Sequence, residues 1–222
     1  MTAVVAEGVY PPQEDSLLLI EALECSDAVR GRRVVDLCTG SGVVAIAAAR
    51  LAAEHVTGLD ICPHAVRCAT ANVLAAGVPV DIELGSWHQA LADAPFDLVV
   101  CNPPYVPIGA DFDVSTVAQW AGPVTAWNGG TDGRAILNPL CDNASAMLSD
   151  GGTLLLVQSE FADIEESLAR LAGSGLSAGV CASRHIPWGP VVSSQARWLT
   201  ETGRLQHGRC DERLVVIRAD KP

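Results

Sequence analysis

Positive charge is what this 222-residue chain has least of: 14 Lys and Arg stand against 26 Asp and Glu, a formal net charge of −12 with a pI near 4.7. Binding driven by phosphate neutralisation needs the opposite balance, so nucleic acid is not an expected partner. Long apolar runs are missing too. Mean hydropathy is +0.27, yet no run approaches the roughly 18 residues of a spanning helix. The richest stretch, Val43–Ala53, is mostly Ala and carries Arg50. Met1–Val9 lacks the basic segment that opens a signal peptide. No CxxC occurs among the eight cysteines, no HExxH or close pairing among the five histidines, and no GxSxG elbow anywhere. Metal, redox-motif and serine-hydrolase chemistry therefore lose their usual signatures. Cysteines inside apolar runs, as in Leu37-Cys38 and Val100-Cys101, read as small buried hydrophobes. The expectation is a soluble, cytoplasmic protein with reduced thiols and no metal. With 49% hydrophobic and 18% charged residues, the chain cannot be globally disordered, and its length suits one domain spanning 1–222.

What is present is a rhythm. Arg33–Cys38, Val56–Asp60, Val80–Leu84, Phe96–Cys101 and Thr153–Gln158 read as strands. Between them, Gly42–Ala53, Pro63–Ala76, Thr131–Leu148 and then Phe161–Ala172 read as helices, the first Ala-rich and the second with Pro near its first turn. Apolar strands alternating with helices predict an α/β fold, a doubly wound parallel sheet covered on both faces. Late apolar runs at Leu176–Ala182 and Arg213–Arg218 predict an antiparallel pair at one edge. Residues 1–30 form a lead-in with an amphipathic helix over Gln13–Glu24. Two segments fit no packed element: a loop over 102–130, expected to be a mobile lid without a core of its own, and a loop over 185–211. Trp188 and Trp198, in the second, read as packing anchors or substrate contacts. Glu160 and Asp163 read as acids at a helix start.

The strand ending at Asp36 runs into Cys38-Thr-Gly40-Ser-Gly42 and then a helix. Glycines there let the chain turn sharply and let a ligand approach main-chain N–H groups. Asp60 ends the next strand, where a doubly wound fold presents a carboxylate to ribose hydroxyls. A nucleoside-type cofactor follows. Its identity does not, because Gly40-x-Gly42-x-x-Ala45 also satisfies a permissive dinucleotide fingerprint. Asn102-Pro-Pro-Tyr105 leaves the fourth strand. The Asn102 carbonyl and the rigid Pro103 carbonyl suit the two N–H groups of a planar –NH₂, with Tyr105 against its π face. Nothing at that strand offers an acid or base for hydride transfer.

Asp36-Leu-Cys-Thr-Gly-Ser-Gly42, Asp60 and Asn102-Pro-Pro-Tyr105 resemble class I S-adenosylmethionine-dependent methyltransferases that modify planar nitrogens. Val9–Ser16 and Trp127-Asn-Gly-Gly-Thr-Asp-Gly133 resemble further motifs of the HemK-type subgroup, which methylates the glutamine of the Gly-Gly-Gln motif in peptide release factors. The resemblance implies a Rossmann-like, seven-stranded, mostly parallel sheet with an antiparallel C-terminal edge. It implies S-adenosyl-L-methionine as cofactor, S-adenosyl-L-homocysteine as product and a release factor as protein substrate. Ser16, Asp36 and Cys38 would lie at the cofactor's methionine end, Gly40 and Gly42 in the turn beside it, and Asp60 at the ribose. Asn102, Pro103 and Tyr105 would be the catalytic set, with Asn102 also touching the cofactor. Two features depart from the family pattern. Only residues 1–30 precede the first strand, where bacterial release-factor enzymes usually carry a helical recognition domain. Gly85-Ser86-Trp87 stands where the family often has Asp near the adenine, leaving Ser86 as an acceptor and Trp87 to pack on the ring. Methylation of a small amine, a guanidine or an adenine amino group is the alternative activity, and a degenerate scaffold subunit the non-enzymatic one. A small partner subunit is a further expectation.

Overall fold

Seven β-rich segments pair into one sheet in the computed structural model, which describes residues 8–117 and 122–222. Residues 1–7, most of the stretch weighed as a signal peptide, and residues 118–121 of the 102–130 loop lie outside the described residues. The strands are β1 (Arg33–Leu37), β2 (His55–Asp60), β3 (Asp81–Leu84), β4 (Phe96–Cys101), β5 (Leu148–Ser159), β6 (Ser177–Pro187) and β7 (Asp211–Asp220). Their order is β3-β2-β1-β4-β5-β7-β6. The first five run parallel, and β7 pairs antiparallel with both β5 and β6, so the expected antiparallel edge forms. Between β1 and β4 the winding reverses, and the carboxyl ends of neighbouring strands diverge there into a crevice.

The helices are α1 (Glu14–Glu24), α2 (Val43–Arg50), α3 (Pro63–Ala76), α4 (Trp87–Asp93), α5 (Leu137–Met147), α6 (Ile164–Gly173) and α7 (Pro190–Glu201). The central strands are buried on both faces: Val34, Val35, Leu98, Val99, Val100 and Leu154–Val157 are essentially inaccessible. Such continuous apolar runs are what a sheet sandwiched between helices requires. Helix α1 buries Leu18, Leu19 and Leu23 and packs over β5, β6 and β7. This sets its first turn beside the crevice.

Several expectations change. Helix α5 begins at Leu137 and not at Thr131, because Gly133 takes φ +78 in a turn that precedes it. Strand β5 begins at Leu148, with an irregularity in its pairing to β4 between Phe96 and Leu98 that absorbs the Gly-rich stretch. Helix α4 was not expected. The 185–211 segment is largely packed: β6 continues to Pro187 and α7 buries Val191, Val192, Gln195 and Leu199. The 102–130 loop has an apolar cluster of its own, Ile108, Val117 and Trp127, shared with Val191 of α7. None of the described helices is long and apolar enough to cross a membrane.

Candidate active site

Beyond β1 the chain reverses through three left-handed residues, Cys38 (φ +57), Gly40 (φ +56) and Gly42 (φ +81). Cys38 holds this conformation without being glycine, which is sparsely populated and characteristic of functional turns. It is exposed, not a buried hydrophobe as its apolar neighbours suggest. Two carboxylates hold the turn. Asp36 accepts from Thr39 Oγ1 (2.6 Å) and from Ala45 N–H in the first turn of α2 (3.0 Å). Asp60 accepts from Gly40 N–H (2.9 Å) and Cys62 N–H (2.8 Å), which ties the glycine turn to the end of β2.

A cavity of about 610 Å³ fills the crevice, within the range of sites for small molecules and cofactors. Ser16, Asp36, Cys38, Gly40, Asp60, Ser86, Trp87, Asn102, Pro103 and Tyr105 all line it. Gly42 does not. A Cβ there would sit 3.1 Å from Ala69 Cβ, so this glycine serves the approach of α2 to α3. Ser86 caps α4, accepting from His88 N–H at 3.3 Å, so its hydroxyl is engaged locally. Trp87 stacks on His88 with ring centroids 3.7 Å apart.

At the end of β4, Asn102 Nδ2 donates to Ser16 Oγ (3.2 Å). That leaves the amide oxygen as the end of Asn102 available to a ligand. Ser16 is fixed in turn by Asp15, whose Oδ1 accepts from Ser16 N–H (2.6 Å) and whose Oδ2 accepts from the Tyr105 hydroxyl (3.0 Å). The first turn of α1 thus orients two residues nearly ninety positions later. Sequence reasoning had no role for Asp15, since no local pattern pairs it with Tyr105.

The loop after Tyr105 folds back on itself. Val106 N–H donates to Trp127 O (2.9 Å), Gly129 N–H to Val106 O (2.9 Å) and Ile108 N–H to Gly130 O (2.9 Å). A Cβ on Gly133 would lie 2.5 Å from the Tyr105 carbonyl, so the Trp127–Gly133 motif packs directly behind the catalytic candidates. Gln195 of α7, also unforeseen, clamps the loop: Gly109 N–H donates to its Oε1 (2.9 Å) and its Nε2 to Pro107 O (3.2 Å). Trp198 lies against Gly109, and both Trp198 and Trp188 pack on the Phe161–Val192–Leu199–Leu205 cluster. Neither lines the main cavity. Asp163 caps α6 and Glu160 opens a short 3-10 helix (Glu160–Ala162), both acids at helix starts as expected, and Glu160 also pairs with Arg209 (2.8 Å).

Burial pushes the Asp36 carboxyl up to about 7, against its two hydrogen bonds, and pushes Glu212 up to about 7, against a hydrogen bond from Ser159. Burial also raises Asp60. A carboxyl raised on folding binds more protons in the folded state between its two pKa values, so stability falls as pH rises through that window. Carboxyls held low, Asp97 by Arg33 N–H and Asp211 by Arg209, act only below the ordinary carboxylate range. The ligand-free protein is therefore expected to melt higher at about pH 5.5 than at about pH 7.5. Asp36→Asn should flatten that slope; an unchanged slope in a folded variant would remove Asp36 as its source.

Among the described residues the Asp36 carboxylate meets only uncharged donors in the cavity, and a buried charge of this kind favours a cationic ligand group. The cavity's size, its glycine turn and Asp60 at its rim fit a nucleoside joined to a cationic chain.

Residues 14–103 match the family of ribosomal protein L11 methyltransferase (PrmA). A Methanocaldococcus jannaschii protein named as a protein N5-glutamine methyltransferase is 29% identical over 180 residues, covering 81% of this chain and 87% of its own length. A Gloeobacter violaceus release factor glutamine methyltransferase is 34% identical over 156 residues, 68% of this chain and 54% of its own. The chain thus spans about half the length of that second relative. In fold, the chain is similar to a chain of the E. cuniculi Mtq2–Trm112 complex, described as responsible for methylating the eRF1 termination factor. The TM-score is 0.65 at 23% identity, over 97% of this chain and 99% of that one. Sequence similarity thus relates the chain to methyltransferases, protein-glutamine methyltransferases among them, and its sheet topology is the fold those comparisons share.

Proposed function

We propose that the chain is an S-adenosylmethionine-dependent N-methyltransferase acting on the side-chain amide of the glutamine in the Gly-Gly-Gln motif of a peptide release factor. The observation that carries this reading is the Asn102–Ser16–Asp15–Tyr105 network. It leaves the Asn102 amide oxygen, next to the Pro103 carbonyl, as a fixed pair of acceptors for a planar –NH₂. The described residues act as one catalytic domain, with 102–117 and 122–130 as the wall on the acceptor side.

Asp60 holds the ribose hydroxyls, Trp87 covers the adenine, and Asp36, Cys38 and Ser16 face the methionine end. Bound S-adenosylmethionine supplies an electrophilic methyl group. An amide nitrogen is a poor nucleophile because its lone pair is delocalised, so its orientation carries much of the rate. The Asn102 and Pro103 oxygens accept its two N–H groups and stabilise positive charge as it develops on nitrogen. Tyr105, held by Asp15, keeps the amide plane facing the cofactor. The proton leaves to water, since the methylated nitrogen is acidic.

A small partner subunit is part of this reading; the E. cuniculi protein similar in fold is described in a complex, Mtq2–Trm112. Among the described residues strand β3 ends the sheet, and its Leu84 and nearby Ile61 are 60% and 64% exposed. Exposed apolar edges are normally covered.

The test is incubation with labelled S-adenosylmethionine and, separately, full-length release factors, nucleic acid and a pool of amine metabolites. Label on the Gly-Gly-Gln glutamine, located by peptide mass spectrometry, is the expected result. Label confined to nucleic acid or to amines would overturn the substrate, and no label anywhere would favour a scaffold role.

A further inference from the structure

A second cavity, of about 140 Å³, lies behind the first. Tyr10, Asp15, Tyr105, Val106 and Trp127 line both, so these residues form the partition between them. The second cavity adds Glu212 of β7, and its rim is open at the exposed Glu14 and Pro190.

Two features of this cavity are unresolved by the protein's own contacts. Asp15 and Glu212 are buried, at 6% and 5% exposure, and their bonded partners are uncharged. Asp15 accepts from Ser16 and Tyr105, and Glu212 Oε2 from Ser159 Oγ (2.6 Å). Nearby Arg209 is committed to Glu160 and Asp211. Buried carboxylates are normally balanced by a cation. Secondly, Trp127 is 3% exposed, and among the described residues its buried indole N–H meets no acceptor. Buried donors are rarely left so. Burial, opposed by the Ser159 bond, pushes Glu212 up to about 7, with neighbouring Asp15 and Glu160 adding to the rise and Arg209 countering it.

We infer that the second cavity is a cation subsite of the acceptor pocket, taking the guanidinium or ammonium of a basic side chain that flanks the methylated glutamine. Glu212 and Asp15 supply the negative charge, and Tyr10 and Trp127 supply aromatic walls against which a cation is attracted. The Trp127 N–H donates to a carbonyl of the same peptide. This rests on the peptide-glutamine reading for the identity of the ligand, and on the cavity alone for its charge.

Direct titration separates the two. The Trp127 indole N–H resonance, assigned with Trp127→Phe, is followed while ethylguanidinium or its neutral analogue N-ethylurea is added to the whole protein. A saturable shift with ethylguanidinium and none with ethylurea is expected. Glu212→Gln, which retains an acceptor for Ser159, should weaken binding at least about tenfold. Equal responses to both ligands, or to neither, in the wild type would overturn the subsite without recourse to any variant. Methylation of Gly-Gly-Gln peptides flanked by arginine or by citrulline then reads the specificity. The arginine peptide should have a kcat/KM at least about tenfold higher, and Glu212→Gln should abolish that preference. Peptides methylated with no arginine preference would sink the subsite and leave the glutamine activity standing. Guanidinium binding with no peptide methylated would do the reverse.

Discussion

Asn102→Ala is expected to bind S-adenosylhomocysteine close to normally and to lose turnover on its methyl acceptor by on the order of 10²-fold or more. Asn102 is held by Ser16 on one side and stands at the β4 exit on the other. Its removal leaves the Asp36–Thr39 and Asp60–Gly40 bonds untouched. The loss should therefore fall on kcat, because the amide acceptor is left with only the Pro103 carbonyl and no longer presents its lone pair in line. Binding by calorimetry and single-turnover methylation measure the two halves. Normal turnover on the true acceptor would show that the planar nitrogen is not oriented by this residue. Equal loss of cofactor binding would move Asn102 into the cofactor site alone.

Asp60→Ala is expected to do the converse, weakening S-adenosylhomocysteine at least about tenfold, or about 1.4 kcal/mol. A carboxylate accepting from two ribose hydroxyls contributes about 1.5–3 kcal/mol per charge-assisted bond. The structure adds a second route to the loss, since the same carboxylate anchors Gly40 N–H and Cys62 N–H. Asp60→Asn separates the two routes: its amide oxygen can still accept one main-chain N–H, while half of the carboxylate's acceptor capacity is gone. An affinity for the asparagine variant between wild type and alanine, with unaltered melting, is the expected result. Unchanged affinity in a folded alanine variant would remove Asp60 from the cofactor site.

Much of this molecule was legible from short stretches of chain. Strands β1, β2 and β4 and helix α3 are bounded by local signals. In α3, Pro63 opens the helix and Gly77, at φ +65, closes it. The glycine turn and Asp60 fall within one βαβ unit, so their proximity follows from chain connectivity. Helix α7 was missed although Pro190 stands at its first turn and Val191, Val192, Gln195 and Leu199 share its buried side. Its Gly, Pro and Trp neighbours obscured the period. The lid's cluster was missed for a different reason. Ile108, Val117 and Trp127 are too sparse to make a core until Val191, far along the chain, completes it.

By itself, then, the order of residues determined the parallel sheet and the chemistry offered at the ends of its strands, because each depends on periodicity or on neighbours within one unit. Only the tertiary structure decided how that chemistry is aimed. The Tyr105–Asp15 and Asn102–Ser16 bonds, the Gln195 clamp and the Glu212 wall of the second cavity join positions separated by most of the chain. Such pairings leave no trace in local pattern, since they exist only once α1, β7 and α7 have been packed against the ends of the central strands.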